Sequence, residues 1–415
     1  MNKTTPEQPA AFSKYQIFII IILAILQFSV ILDFMVLSPL GAILIPELDI
    51  TTTQFGLVVS AYAISAGFSG LLAAGFADRF DRKKLLLFFY TGFIVGTVLC
   101  ALAPTYDQLL IARIVTGIFG GVISAIGFAI ITDLFKIELR GQVMGYVFTA
   151  FSASQVLGIP ISLFLANKFS WHAPFWMIVS FSVITAVVIA LYMKPVTAHL
   201  ANPSTHNPFM HLWKTLTNAD YLKGFATTTL LTTGGYMLMP FGSAFSTNNL
   251  GLSIDSLPWL YGITGVFTIV FSPLLGKLSD KIGKFNVFVM GTAVSLVMVA
   301  IYSNLGLTSF WIVTLLNVLL FVGITARITA SSALMTGMPE PQDRGAFMSI
   351  NSSVQQFSGG IAAGIAGMIV VQQPSGLLEN YNILGYVVMV SMICAMGLMY
   401  VLNKHVQKKM AGKKV

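Results

Sequence analysis

The chain has 415 residues, of which 56% are apolar and only 9% charged, and its mean hydropathy is +0.83. That composition cannot cover a water-facing surface, so ordinary soluble domains are excluded and lipid is the solvent for most of the chain. The net charge of +8 would suit nucleic acid, but the bases recur along the chain in an alternation that a basic soluble domain has no reason to show.

A bilayer core of about 30 Å needs roughly 20 helical residues to cross it. Apolar runs of that length are predicted at 15–44, 53–76, 85–103, 107–133, 141–166 and 173–194, and again at 222–247, 255–277, 285–304, 308–335, 344–372 and 379–404. The reading is an all-α polytopic membrane protein with 12 transmembrane helices. The first run follows a polar segment and continues well past the length of a signal-peptide core without a small-residue cleavage site, so it reads as a retained helix. Cys100 and Cys394 fall within spans of different halves and act as small apolar residues.

Of the 23 Lys and Arg, all but Lys168, Arg113 and Arg327 fall on one side of this topology. They include Lys3 and Lys14 before the first span, Arg79, Arg82, Lys83 and Lys84 after the second, and Lys136 and Arg140 after the fourth. Lys277, Lys281, Lys284 and Arg344 follow in the later loops, and Lys404, Lys408, Lys409, Lys413 and Lys414 in the tail. Bases are retained in cytoplasmic loops, so both termini are expected in the cytoplasm and the protein in the cell inner membrane.

The longest internal polar stretch, Val196 to Asp220, carries Pro203 and Pro208 with His199, His206 and His211. It divides the chain into an N-terminal six-helix half (1–195), a cytoplasmic linker (196–221) and a C-terminal six-helix half with a basic tail (222–415). Histidines spaced this loosely read as parts of a solvated connector, not as a metal site. The halves repeat each other, as expected of many secondary transporters. Ala74 to Lys83, after the second span, carries Asp78 and Arg79 where Gly276 to Lys284, after the eighth, carries Asp280 and Lys281; Arg140-Gly141 opens the fifth span as Arg344-Gly345 opens the eleventh.

These segments resemble the major facilitator superfamily, and within it the twelve-helix drug:proton antiporter group with its sugar-efflux-like members. Gly276 to Lys284 matches that family's G-x-x-x-D-R/K-x-G-R/K loop; the first copy has Ala74 and Asp81 in place of its glycines. Arg113 and Gly117 resemble its R-x-x-x-G motif, and Gly158-Ile159-Pro160 the antiporter-associated motif in its G-x-P form. The resemblance implies a major facilitator fold of two pseudo-symmetric six-helix halves and alternating access driven by the proton gradient.

Asp33 is the one carboxylate placed deep in a span. A charge near the bilayer centre costs several kcal/mol and usually has a partner facing a cavity. Burial favours the neutral acid and a nearby cation the carboxylate, so Asp33 is the candidate proton-coupling site and Arg113 its candidate cation. Counting along the helices at about 1.5 Å per residue leaves a gap that an Arg side chain bridges, while the adjacency of the first and fourth helices is implied by the family fold. The alternatives are that Asp33 is a packing carboxylate bonded to Ser29, one turn away, and that Arg113 is a fixed counter-charge. Arg327 has no carboxylate in its half and either binds an anionic substrate or holds helix ends.

Thr229, Thr232, Thr233 and Tyr236 share one helix face, as do Asn351, Gln355 and Ser358; such stripes either line a wet cavity or hold membrane helices together. Tyr236, Asn351 and Gln355, with Arg327, are the candidate substrate contacts. Asp78, Arg79, Arg82, Asp133, Arg140, Asp280, Lys281 and Arg344 are candidate gate residues, carboxylates at helix ends facing basic loops. There is no Walker loop, H-E-x-x-H, nucleophile elbow or intramembrane His, so neither an enzyme nor an ATP-driven pump is expected. The expected function is export of a small amphipathic or drug-like compound in exchange for protons, without cofactor or nucleic acid and by a lipid-embedded monomer. Export of a sugar or metabolite, symport or uniport is the alternative.

Overall fold

The computed structural model describes residues 12–76, 79–201, 208–340 and 343–412; Lys3, Asp78, Pro203, His206, Lys413 and Lys414 lie outside them. The crossings of the first half are α1 (Lys14–Val36), α2 (Thr52–Phe76), α3 (Arg82–Leu102), α4 (Tyr106–Leu134), α5 (Ile137–Ala153, continued as Ile159–Lys168) and α6 (Ala173–Tyr192). Those of the second are α7 (Ala219–Leu238), α8 (Leu257–Ile282), α9 (Lys284–Tyr302), α10 (Phe310–Met335), α11 (Arg344–Ile369) and α12 (Tyr381–Gly412). Ten of the described helices are by themselves long and apolar enough to cross a bilayer. The other two crossings, α7 and α11, have the length but carry the polar stripes noted above. A two-stranded hairpin, β1 (Val371–Gln372) with β2 (Leu378–Glu379), joins α11 to α12.

Prolines account for the irregularities that apolar length could not predict. The first crossing breaks after Val36, beside Pro39, and resumes as a short helix, Gly41–Glu47. The seventh narrows to a 3₁₀ turn at Met239–Phe241, around Pro240, before continuing as Gly242–Asn248. In α5 a π turn, Ser154–Gly158, precedes Pro160, because a ring without an N–H clashes with the carbonyl one turn back and the ladder widens to admit it.

The two halves use one packing plan. In the first, α1 packs on α5 and α6, α2 on α4, and α3 on α4 and α6; in the second, α7 packs on α11 and α12, α8 on α10, and α9 on α10 and α12. The halves meet where α2 packs on α11 and α5 on α8, two contacts exchanged by the same internal symmetry.

We call the side bearing the Asp81 to Lys84 and Gly283 to Lys284 loops the basic face. Among the described residues, the hydrogen bonds joining the halves lie at the opposite face. Ser243 Oγ donates to Ser38 O at 3.3 Å, Thr52 Oγ1 to Val370 O at 2.5 Å, Thr53 Oγ1 to Gly367 O at 2.9 Å and Asn167 Nδ2 to Ile254 O at 3.0 Å. Toward the basic face the α5–α8 seam parts: a Cβ added at Gly141, Gly145 or Gly276 would meet nothing within 4 Å. The hydrogen-bonded junction thus lies at one face, and the α5–α8 contact thins toward the other.

Candidate functional site

The R-x-x-x-G spacing of α4 continues to Gly121, putting Arg113, Gly117 and Gly121 on one face. That face presses on α2. A Cβ at Gly117 would lie 2.5 Å from Tyr62 O, and one at Gly121 2.3 Å from Ala66 O. Only glycine permits this approach, and it brings the Tyr62 ring to 4.5 Å from the Arg113 guanidinium carbon, a cation–π contact. Gly158 brings α5 close to α1 against a side chain, since a Cβ there would fall 2.5 Å from Leu32 Cδ1, beside Asp33.

Asp33 and Arg113 meet. Arg113 Nη1 donates to Asp33 Oδ2 at 2.8 Å and to Asp33 O at 3.2 Å, and Thr97 Oγ1 on α3 donates to Oδ1 at 3.3 Å. The side chains of Arg113 and Asp33 are 1% and 0% exposed. A charge-assisted pair at this depth is tolerable because each ion supplies the other's counter-charge and hydrogen bonds. Ser29 is not a partner of Asp33: it donates to Leu26 O at 2.8 Å and shares a 3.1 Å hydrogen bond with Tyr90. Phe34, the next residue after Asp33, packs its ring at a tilt against Tyr62 at 5.3 Å and, across the half boundary, against Tyr236 at 5.6 Å between centroids. The ion pair thus sits one residue from an aromatic contact between the halves.

The candidate substrate contacts separate on inspection. Tyr236 packs on Gly359 of α11 in a space that a Cβ would enter at 2.5 Å. Asn351 accepts from Thr228 at 2.6 Å and Ser358 donates to Thr229 at 3.1 Å, so this part of the polar stripe joins α7 to α11. Gln355 is exposed. Arg327 is 3% exposed, its Nε and Nη2 are buried without a hydrogen-bond partner, and its guanidinium carbon lies 5.7 Å from the centroid of Phe288 on α9.

On the basic face Arg82 Nε pairs with Asp133 Oδ2 at 3.1 Å, tying the start of α3 to the end of α4. His199 Nδ1 lies 3.1 Å from the same oxygen, and Asp81 accepts from Lys83 N and Val196 N at 3.0 Å, so the connector after α6 is fastened to this cluster. Arg140 caps the end of α4 through Phe135 O at 3.0 Å and Thr132 O at 2.6 Å. Arg79, Asp280, Lys281 and Arg344 form no ion pair among the described residues. His211 lies 3.7 Å from Asp343, and no cluster of metal-binding side chains occurs among the described residues. Tyr62, Thr97 and Phe34 are the members that sequence reading passed over, and His199, read as part of a solvated connector, joins them. Only the glycine spacing hints at Tyr62, because neutral residues become visible through what they touch.

Two six-helix halves of one plan, hydrogen-bonded to each other at one face and carrying a buried ion pair beside their junction, define a membrane transporter with small-molecule substrates. The Major Facilitator Superfamily profile matches residues 23–245 and 224–414, and the chain belongs to that family. It is not an enzyme and, as a transporter of this family, needs no cofactor. It is 28% identical to the uncharacterized MFS-type transporter YceJ of Bacillus subtilis (strain 168) over 62% of this chain and 66% of that protein. It is 24% identical to YtbD of the same organism, also an uncharacterized MFS-type transporter, over 84% and 86%. It is 32% identical to Multidrug resistance protein 3 of that organism over 35% of this chain and 28% of that protein. The chain therefore spans just under two thirds of YceJ and a smaller part of the multidrug resistance protein. Among solved structures, a bacterial homologue of the human lysosomal transporter Spinster, in an inward-facing and unoccupied conformation, superposes with a TM-score of 0.70 at 15% identity over 95% of this chain and 97% of that one, a likeness of fold.

Proposed function

We propose that this transporter exports a small amphipathic or drug-like compound in exchange for protons, with Asp33 as the coupling site. The observation that carries the proposal is the buried Asp33–Arg113 pair at 2.8 Å, one residue from the Phe34–Tyr236 ring contact between the halves. Protonation of Asp33 discharges the carboxylate, weakens its hold on Arg113 and loosens α1 against α4. Because Phe34 moves with Asp33, that loosening reaches Tyr236, where the aromatic surface offers a contact for a flat or apolar substrate. Substrate and proton then compete through one stretch of α1, which is the linkage that antiport requires. Gln355 and Arg327 supply polar contacts from the second half, while Asn351 holds α7 to α11.

In this reading the basic face is cytoplasmic, both termini lie inside and the protein occupies the inner membrane as a monomer. The Arg82–Asp133 cluster, with Asp78, Arg79, Arg140, Asp280, Lys281 and Arg344, forms the cytoplasmic gate that engages when the α5–α8 seam closes. The partial likeness to a multidrug resistance protein and the Gly158-Ile159-Pro160 turn support export over uptake. The test is proton flux in proteoliposomes under an imposed pH gradient, with lipophilic cations, antibiotics and sugars added in turn. Wild type is expected to move protons when a transported compound is added. A protein that carries compounds with no accompanying proton movement would sink the antiport reading.

A further inference from the structure

The second half contains a charge whose compensation the fold does not supply. Arg327 sits on the turn of α10 that faces α9, where the helices approach through small residues: a Cβ at Gly291 would lie 2.8 Å from Gly323 O and 3.2 Å from Arg327 N, and one at Gly323 would lie 2.6 Å from Ser295 Oγ. Around it is an apolar cluster that includes Phe225, Phe288, Ala326, Ala330, Phe347 and Met399. No carboxylate pairs with Arg327 among the described residues. Besides its own Nε and Nη2, Ser295 Oγ is buried and unpartnered. An aromatic face at 5.7 Å offsets part of a guanidinium's desolvation but leaves its in-plane N–H donors empty. Those donors form a fork suited to a planar or tetrahedral oxyanion.

Depth makes such an anion reachable. Arg327 is eight residues before the end of α10 at Met335, or about 12 Å at 1.5 Å per residue. Its guanidinium lies beside Phe288, four residues after the start of α9 at Lys284, so it is a turn or so from the basic face. Lys281 and Lys284, exposed or half-buried on that face, raise the local anion concentration.

We infer that Arg327 is an anion site of the second half, taking a single carboxylate, sulfate or phosphate group that enters from the basic face. The site stands independently of the export reading; only the assignment of its natural anion to the substrate rests on that reading.

The test uses the full-length protein in neutral detergent. Its thermal unfolding is followed while sodium sulfate replaces sodium chloride at constant ionic strength, with wild type, Arg327→Gln and Arg327→Lys compared. Wild type is expected to gain roughly 5 °C, saturably, once sulfate is far above its dissociation constant. Arg327→Gln is expected to show no saturable gain and, in sulfate-free buffer, to be at least as stable as wild type, since it removes an uncompensated buried charge. Arg327→Lys keeps a point charge without the fork, so its half-saturating sulfate rises several-fold. A gain of equal size in Arg327→Gln would show only the general exclusion of sulfate from protein surfaces and would overturn the inference, as would no gain in wild type. Should Arg327→Gln fail to fold, an Arg327→Lys titration superimposable on wild type overturns it. A second arm identifies the natural anion. If it is the substrate's own, Arg327→Gln lowers flux of anionic compounds far more than that of neutral and cationic ones; if it is a free inorganic anion, flux of all compounds through Arg327→Gln falls together.

Discussion

Each half buries one arginine within a crossing, away from the helix ends, and the two have opposite surroundings. Arg113 on α4 meets a carboxylate at 2.8 Å and a tyrosine face at 4.5 Å; Arg327 on α10 meets a phenylalanine face and no anion. The duplicated scaffold therefore tolerates a charge at this depth by two routes. In the first half compensation is internal and switchable, because a proton can cancel the carboxylate. In the second half compensation comes from outside the fold. Breaking the first should harm the protein, and removing the second should not.

Arg113→Gln should show the largest effect on stability. It strands Asp33 without a counter-ion, a change worth about 3–5 kcal/mol for a buried pair, visible as a lower unfolding temperature in detergent. Asp33→Asn combined with Arg113→Gln should lose clearly less than the sum of the single changes; strict additivity would mean that the ions are not energetically coupled. Gly158→Val would push a branched side chain into Leu32, where even a Cβ falls 2.5 Å from Cδ1. A loss of about 1–3 kcal/mol is expected, with weaker coupling because α1 is displaced beside Asp33. Thr97→Val removes a 3.3 Å hydrogen bond to Asp33 at a cost of about 1 kcal/mol and should alter the pH dependence of transport more than its maximal rate. Arg82→Gln breaks a 3.1 Å pair with Asp133 whose side chains are 5% and 15% exposed, so it should lower the unfolding temperature, by less than Arg113→Gln because Asp133 keeps some contact with water, as well as change the transport rate.

The crossings were legible because bilayer thickness dictates their length and lipid dictates their composition. The internal breaks at Pro39, Pro160 and Pro240 were not, since an apolar run looks the same whether its helix is straight or interrupted. At the site, Asp33 and Arg113 stand out because ionisable side chains are rare in spans. Asn351, in contrast, could have been either a cavity residue or helix glue, and its bond to Thr228 depends on how α7 and α11 are rotated, which periodicity alone does not determine. His199 was read as part of a solvated connector; its position 3.1 Å from Asp133 arises from the path of that connector across the face of α3 and α4.

The most direct test of the account is proton release into weakly buffered detergent solution when a transported compound without a titratable group, such as a permanent lipophilic cation, is added to the purified protein. The account predicts stoichiometric release from wild type and none from Asp33→Asn, with the compound still bound by both. Equal release from Asp33→Asn would place the coupling proton elsewhere and contradict the role assigned to the Asp33–Arg113 pair.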